Sequence, residues 1–290
     1  MRIVSLLPSA TEILFAIGAG DDVVGVTHEC DYPPEALALP RVTSSALTAQ
    51  PTSAAIDRHV RAHLHFGSSL YHLDAKMLVN LDPDLIVTQE LCEVCAVSYA
   101  LVDRAARRLR SDPRIVSLEP SSLDDVFSTI AFLGDLTGRA QNGKSVVAEL
   151  RAQVGALRQR AQRSQRPRTL VLEWTNPPMS AGHWTPELVE LAGGKPVLAN
   201  PGADSQRLEW DAILQADPDA VVVVPCGFDL ARTQEAIAEL DGIAQWNALR
   251  ARREGHVFAM DGNAYVSRPG PRLVESARII ADALARVPSR

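Results

Sequence analysis

"LDPDLIVTQE" (residues 81–90) and "ADPDAVVVVP" (residues 216–225) are two versions of one pattern, once in each half of the chain. In each, an Asp-Pro-Asp turn ends a helical segment and launches an apolar run, Leu85-Ile86-Val87 in the first and Ala220 to Val224 in the second. The residue before a proline is steered away from the helical region toward extended backbone, so the helix stops there and a strand follows. Short strands that are apolar at every position are buried on both faces, as in a parallel sheet covered by helices.

The same grammar extends outward from both copies. Ile3 to Leu7 reads as a strand, followed by a helical pattern through Glu12 to Ile17 that stops at Gly18 and Gly20; Val23 to Val26 is the next strand, and Ile115-Val116 follows Asp112-Pro113. The second half repeats it with strands at Thr169 to Leu172, Ala220 to Val224 and Val257 to Ala259, and a helix at Pro186 to Leu191 ending on Gly193-Gly194. Strands alternating with helices indicate βαβ units. The fold class expected is α/β: two Rossmann-like lobes, residues 1–120 and 167–290, joined by a long helical connector over 121–166. Ser122 is a plausible N-cap for that connector, which is read as one long helix or two set end to end. Such a connector is stiff and permits small rocking of the lobes rather than a wide hinge swing.

Composition limits the function classes. The 290 residues are 46% hydrophobic and 22% charged, which argues against disorder, and no apolar run approaches the roughly 20 residues of a membrane helix. A net charge of −6 argues against a nucleic-acid partner, since phosphate binding needs clustered Lys and Arg. The arginines between Arg151 and Arg168 recur at helical spacing and read as a solvated helix face. The opening Met1 to Pro8 is too short and too early broken by proline for a secretory h-region, so a cytoplasmic protein is expected. Four cysteines in a chain this long are not a disulfide framework, and in that compartment they remain thiols.

In open parallel α/β sheets, ligands bind beyond the carboxyl ends of the strands. The residues that follow each predicted strand are His28 and Cys30; Glu90, Cys92 and Cys95; Glu173 and Trp174, then His183 and Trp184; Cys226 and Phe228; and Tyr265 and Arg268. All four cysteines stand at strand exits, and two facing lobes would bring them to one cleft. A free cysteine is more often a small buried hydrophobe. Cys92 and Cys95 form a Cys-x-x-Cys pair, half of a zinc site, and with Cys30, Cys226 and His28 they form a candidate site for a zinc or iron ion. Trp174 and Trp184 flank "TNPPMSAGH", read as a proline-rich loop, and suit a broad, flat ligand, with at least one of the two packed under the loop. Arg268, in "SRPGPR", is placed to reach the cleft. No recognised catalytic motif is present, so the chain is read as a binding protein and not an enzyme. The alternative is a metal- or thiol-dependent enzyme using Glu90 or Glu173 as base, or a cytosolic metal carrier.

"RIVSLLPSATEILFAIGAGDDVVGVTHECDYP", "LDPDLIVTQELC", "AGHWTPELVELAGG", "ADPDAVVVVP" and "SRPGPRLVESA" resemble the cobalamin and iron-chelate substrate-binding proteins of ABC importers, whose two lobes are joined by a helical backbone. The resemblance covers nearly the whole chain. It implies a corrinoid, haem or siderophore held between the lobes, with Trp174, Trp184 and Tyr265 over its apolar faces and His28, His183 or a cysteine as an axial ligand to cobalt or iron. It also implies an ABC permease as partner, docked through one acidic residue per lobe six positions before the first Asp of each Asp-Pro-Asp turn. Those positions hold Lys76 and Asp211, so the first lobe departs from the pattern.

Overall fold

Each half of the chain is built around one buried strand that leads directly into a helix or a hairpin. The computed structural model describes residues 1–45, 52–65, 70–89, 99–161 and 166–288, and divides into two units. Unit 1 comprises Met1–Pro51, Ala55–Pro120 and Asp125–Ala148; unit 2 comprises Thr52–Ala54, Ser121–Asp124 and Glu149–Arg290.

From the N-terminus the order is β1 (Ile3–Ser5), α1 (Pro8–Ala16), β2 (Val23–Val26), β3 (Thr43–Ser45), α2 (Ser53–His65), β4 (Tyr71–Leu73), α3 (Ala75–Leu81), β5 (Leu85–Thr88), α4 (Tyr99–Ala106), β6 (Arg114–Ser117), α5 (Leu123–Leu136) and α6 (Ala140–Arg160), the last passing from unit 1 to unit 2 after Ala148. Four strands form a wholly parallel sheet in the order β2-β1-β5-β6, with Ile3 paired to Val23 on one side and Leu85 on the other. β1 and β5 are buried at every position, which is why they read as unbroken apolar runs. Val4, Leu6, Ile86, Leu78 and Val102 form the core of one face.

Unit 2 continues with β7 (Arg168–Thr175), β8 (Pro178–Ser180), α7 (Thr185–Leu191), β9 (Lys195–Pro196), β10 (Gln206–Arg207), α8 (Trp210–Ala216), β11 (Ala220–Val223), α9 (Leu230–Ala238), α10 (Ala244–Ala248), α11 (Arg250–Arg253), β12 (Val257–Ala259) and α12 (Leu273–Leu284). β9, β7, β11 and β12 are parallel and neighbour one another in that order, the same plan as β2-β1-β5-β6. β8 and β10 add an antiparallel extension beside β7. Leu170, Leu172, Ile213, Val221, Val223 and Trp246 fill the core of this sheet.

Both Asp-Pro-Asp turns depart from the extended backbone expected before proline. Asp82 and Asp217 are left-handed helix caps, each with φ 40°. Aspartate tolerates this region better than most residues because its short polar side chain can be hydrogen-bonded there. Asp82 accepts from the amides of Arg110 and Ser111, and the Ser111 side chain first, with these amides after it, holds its carboxyl below the usual range. Asp217 accepts from Arg250. The helix carbonyls are capped in the same way: Arg2 Nε donates to Leu81 O at 2.8 Å, and Arg168 Nη2 to Ala216 O at 2.7 Å.

The helical region after Pro120 is not one rod or two set end to end. α5 stops before Gly138, whose φ is +72°, and α6 starts back across it. A Cβ on Gly143 would lie 3.2 Å from Gly134 Cα and 3.2 Å from the Ile130 carbonyl, so the two glycines set the closeness of the crossing. Arg139 and Asn142 then donate to the carbonyls of Gly18 and Ile17, tying this corner to the end of α1.

Candidate functional site

β7 runs past the level of its neighbours and turns back at Asn176-Pro177 into β8, so the stretch read as a loop is a hairpin, with Thr175 opposite Pro178 and Trp174 opposite Met179. Its register slips between Leu172 and Trp174, which makes Glu173 the bulge residue. A bulge breaks the strict alternation of side chains and re-aims the residue it contains. Glu173 is partly buried, and burial pushes its carboxyl up to about 7 against the opposing hydrogen bond from Ser205. Close to neutrality it therefore holds its proton about half of the time.

The neighbouring Trp174 meets Phe228 edge to face at 5.3 Å between centroids. Phe228 is buried, with the Arg232 guanidinium 3.9 Å from its ring centroid. The Trp174 indole nitrogen is buried and has no hydrogen-bond partner among the described residues. Cys226, exposed, follows β11 and donates its amide to Glu173 O at 3.1 Å. Glu173, Trp174, Cys226 and Phe228 thus form one cluster at the carboxyl edge of the unit 2 sheet.

His183 lies beyond the hairpin in the left-handed region at φ 52°, pinned by its amide to Ala203 O at 2.7 Å and its carbonyl to the Gly202 amide at 2.9 Å. Its ring sits 5.7 Å from that of Trp184. Three side chains expected on a ligand-facing surface are interior ones. Trp184 is 9% exposed and donates its indole N–H to Val266 O at 2.8 Å, which ties it to the 263–268 turn. Phe228 supports Trp174 from behind. Arg268 is 6% exposed and donates to Asn263 Oδ1 at 3.0 Å, so it braces the 263–268 turn. Tyr265, half-buried on that turn, carries the Arg272 guanidinium 5.6 Å from its ring centroid.

In unit 1, His28 follows β2. Its Nδ1 lies 2.8 Å from Thr43 Oγ1, its amide donates to the same oxygen at 3.0 Å, and its ring is 5.5 Å from Tyr71. Burial first and the nearby Arg41 second lower its pKa, so the imidazole is neutral at pH 7. Cys30 does not open onto any surface: it is fully buried with Sγ 3.1 Å from Thr11 Oγ1. Glu90, Cys92 and Cys95 lie outside the described residues. Among the described residues no group of three or more His, Cys, Asp or Glu side chains is arranged to hold a metal ion, so a zinc or iron ion on the cysteines gains no support.

Arg41, Thr43, Tyr71 and Ser205 were not legible as site residues. Thr43 and Tyr71 come from β3 and β4, a two-stranded sheet of three-residue strands, where Thr-Ser-Ser carries no apolar signal. Lys76 and Asp211 occupy matching exposed positions in α3 and α8, and Asp211 accepts from Gln245 at 3.1 Å.

Residues 3–264 match the family described as periplasmic binding protein. The vitamin B12-binding protein of Vibrio cholerae serotype O1 is 23% identical over 286 residues, covering 95% of this chain and 86% of that one. An ABC transporter substrate-binding lipoprotein of Bacillus subtilis, YvrC, is 24% identical over 292 residues, covering 98% and 79%. Among solved structures, the periplasmic haem-binding protein RhuT of Roseiflexus sp. RS-1 superposes with a TM-score of 0.71 at 24% identity, covering 97% of each chain. The expectation of a cytoplasmic protein is overturned by the family description, periplasmic binding protein, and by the lipoprotein among the relatives, which point to a place outside the cytoplasm. Among the described residues no helix is long and apolar enough to cross a membrane. The two α/β units of like plan, the paired Asp-Pro-Asp caps and a family match over 262 of the 290 residues (3 to 264) lead to one conclusion: this chain belongs to the periplasmic binding protein family.

Proposed function

We propose that this protein binds a metal chelate of the corrinoid or haem class, outside the cytoplasm, and passes it to an ABC permease, acting by binding and not by catalysis. The reading is supported by relatives that match nearly the whole chain and are named for vitamin B12 or haem. The observation that carries it within this chain is the pairing of Trp174 with Glu173 at the carboxyl edge of β7: an aromatic plane beside a carboxyl that is half protonated near neutrality. An aromatic face suits the broad apolar surface of a macrocycle, and a protonated carboxyl donates to amide or carboxylate oxygens at its rim and accepts from amide N–H groups there. His28, His183 and Tyr265 are the further candidate contacts. Asp211 is the candidate contact to the permease in unit 2, and Lys76 stands at the matching place in unit 1.

Titration with hydroxocobalamin and, separately, with haemin tests this. One of the two is expected to bind at one per chain with a shifted visible spectrum. Absence of binding by both, in protein with a cooperative melt, rejects the reading.

A further inference from the structure

Thr43 is 6% exposed, and among the described residues its hydroxyl has two hydrogen-bond neighbours, both on one residue: the amide of His28 at 3.0 Å and Nδ1 of the same histidine at 2.8 Å. The amide can only donate, so it occupies a lone pair of Thr43 Oγ1. The hydroxyl proton is then left with one acceptor among the described residues, His28 Nδ1. Were Nδ1 protonated instead, two donors would converge on Oγ1 while its own proton pointed at nothing in an almost closed environment, which costs the desolvation of an unsatisfied donor. The hydrogen-bond inventory therefore leaves the imidazole proton on Nε2.

Among the described residues Nε2 has no partner within hydrogen-bond distance. The side chain is 26% exposed, and the nearest carboxylate, Glu29 Oε1, stands 3.9 Å away, beyond hydrogen-bond distance. Arg41, whose Nη1 is held by the carbonyls of Thr27 and Cys30, adds positive charge near the ring. A protonated Nε2 has no lone pair to give a metal, so the axial role that the sequence suggested for His28 does not suit this ring.

We propose that His28, locked in one tautomer by Thr43, is a specificity-determining hydrogen-bond donor through Nε2–H to a carboxylate or amide oxygen at the rim of the bound chelate, and not a ligand to its metal. This rests on the chelate-binding reading above, but the tautomer can be measured without any ligand.

Long-range proton–nitrogen correlation on 15N-histidine-labelled protein should show the His28 ring, identified by its loss in His28→Gln, protonated on Nε2 at neutral pH. Thr43→Val should disturb that pattern. A ring protonated on Nδ1 in the wild type overturns the proposal. In the ligand arm, hydroxocobalamin offers amide oxygens and haemin carboxylates, and whichever binds identifies the acceptor. His28→Gln, whose amide keeps a donor at the same distance along the side chain, should bind within about threefold of wild type. His28→Leu should lose about tenfold, with the visible spectrum of the bound chelate unchanged. A spectrum altered in both variants marks metal ligation and refutes the donor role. If neither chelate binds the wild type, the chelate reading and the donor role fall together, and the ligand-free spectrum still decides the tautomer.

Discussion

Arg2 and Asp84 are joined twice: the Arg2 amide donates to the Asp84 carboxylate at 2.7 Å, and the Asp84 amide donates back to the Arg2 carbonyl at 2.8 Å. Arg168 and Asp219 repeat the exchange at 2.8 and 2.7 Å. The second aspartate of each turn thus fixes the start of its own strand against the start of the first strand of its unit, setting the register of β1 with β5 and of β7 with β11. Asp219 also receives Arg250 at 2.9 Å, whose side chain is only 16% exposed. Asp84→Ala should cost about 1 kcal/mol, and Asp219→Ala about 2–3 kcal/mol because a largely buried guanidinium loses a partner too. Urea melts of the two variants check the order. Equal losses would remove the role given to Arg250.

Glu173 makes stability depend on pH with a definite sign. Its folded-state value of about 7 lies above the ordinary 4.5, so between these values the folded state holds a proton that the unfolded chain has released. Stability from this group is therefore greatest in acid, falls as pH rises from about 4.5 to about 7, and levels off above, by a total on the order of 1–3 kcal/mol. Glu173→Gln should flatten that slope and raise the urea midpoint at pH 8. An identical slope in the variant would show that the carboxyl titrates normally.

The two loop tryptophans are expected to separate cleanly. Trp184→Phe leaves the Val266 carbonyl without its donor in a buried place and should destabilise by about 1–2 kcal/mol. Trp174→Phe removes an N–H that has no partner among the described residues, so its cost should stay below about 1 kcal/mol, while binding of the chelate weakens. Thermal melts paired with ligand titrations distinguish the two. The opposite assignment, with Trp174 the destabilising site, would contradict the geometry.

The glycines of α6 give a control within one helix. Alanine is the better helix former by about 1 kcal/mol, yet at Gly143 its Cβ would press on the backbone of α5 at 3.2 Å. Gly143→Ala should therefore destabilise by about 1–3 kcal/mol, whereas Gly155→Ala, with nothing within 4 Å, should stabilise by about 0.5–1 kcal/mol. Stabilisation at both positions would mean that the crossing is looser than described.

The fold was legible because its strands carry their own signal. β5 and β11 are apolar at every position since both faces are covered, and the Asp-Pro-Asp turns mark where each begins. The conformation of those turns was not legible, because the donors that let Asp82 and Asp217 become left-handed come from residues 110–111 and 250, far away along the chain. The helix crossing was hidden for a related reason: Gly134 and Gly143 each fit a straight helix, and only their mutual approach shows the corner. At the candidate site, Glu173 and Trp174 were read as following a strand that ends at Leu172, whereas β7 runs on through both to Thr175. Exposure was a different matter, since Cys30, Trp184, Phe228 and Arg268 follow strands just as the others do yet point inward. The opening residues pointed to the cytoplasm, and it is the relatives that point outside it.

Native mass spectrometry of protein purified from its own host tests the central claim most directly. The expected result is one intact chelate, of corrinoid or haem mass, retained per chain and lost on denaturation. A bare zinc or iron ion in its place, with hydroxocobalamin and haemin both refused by the emptied protein, would contradict it.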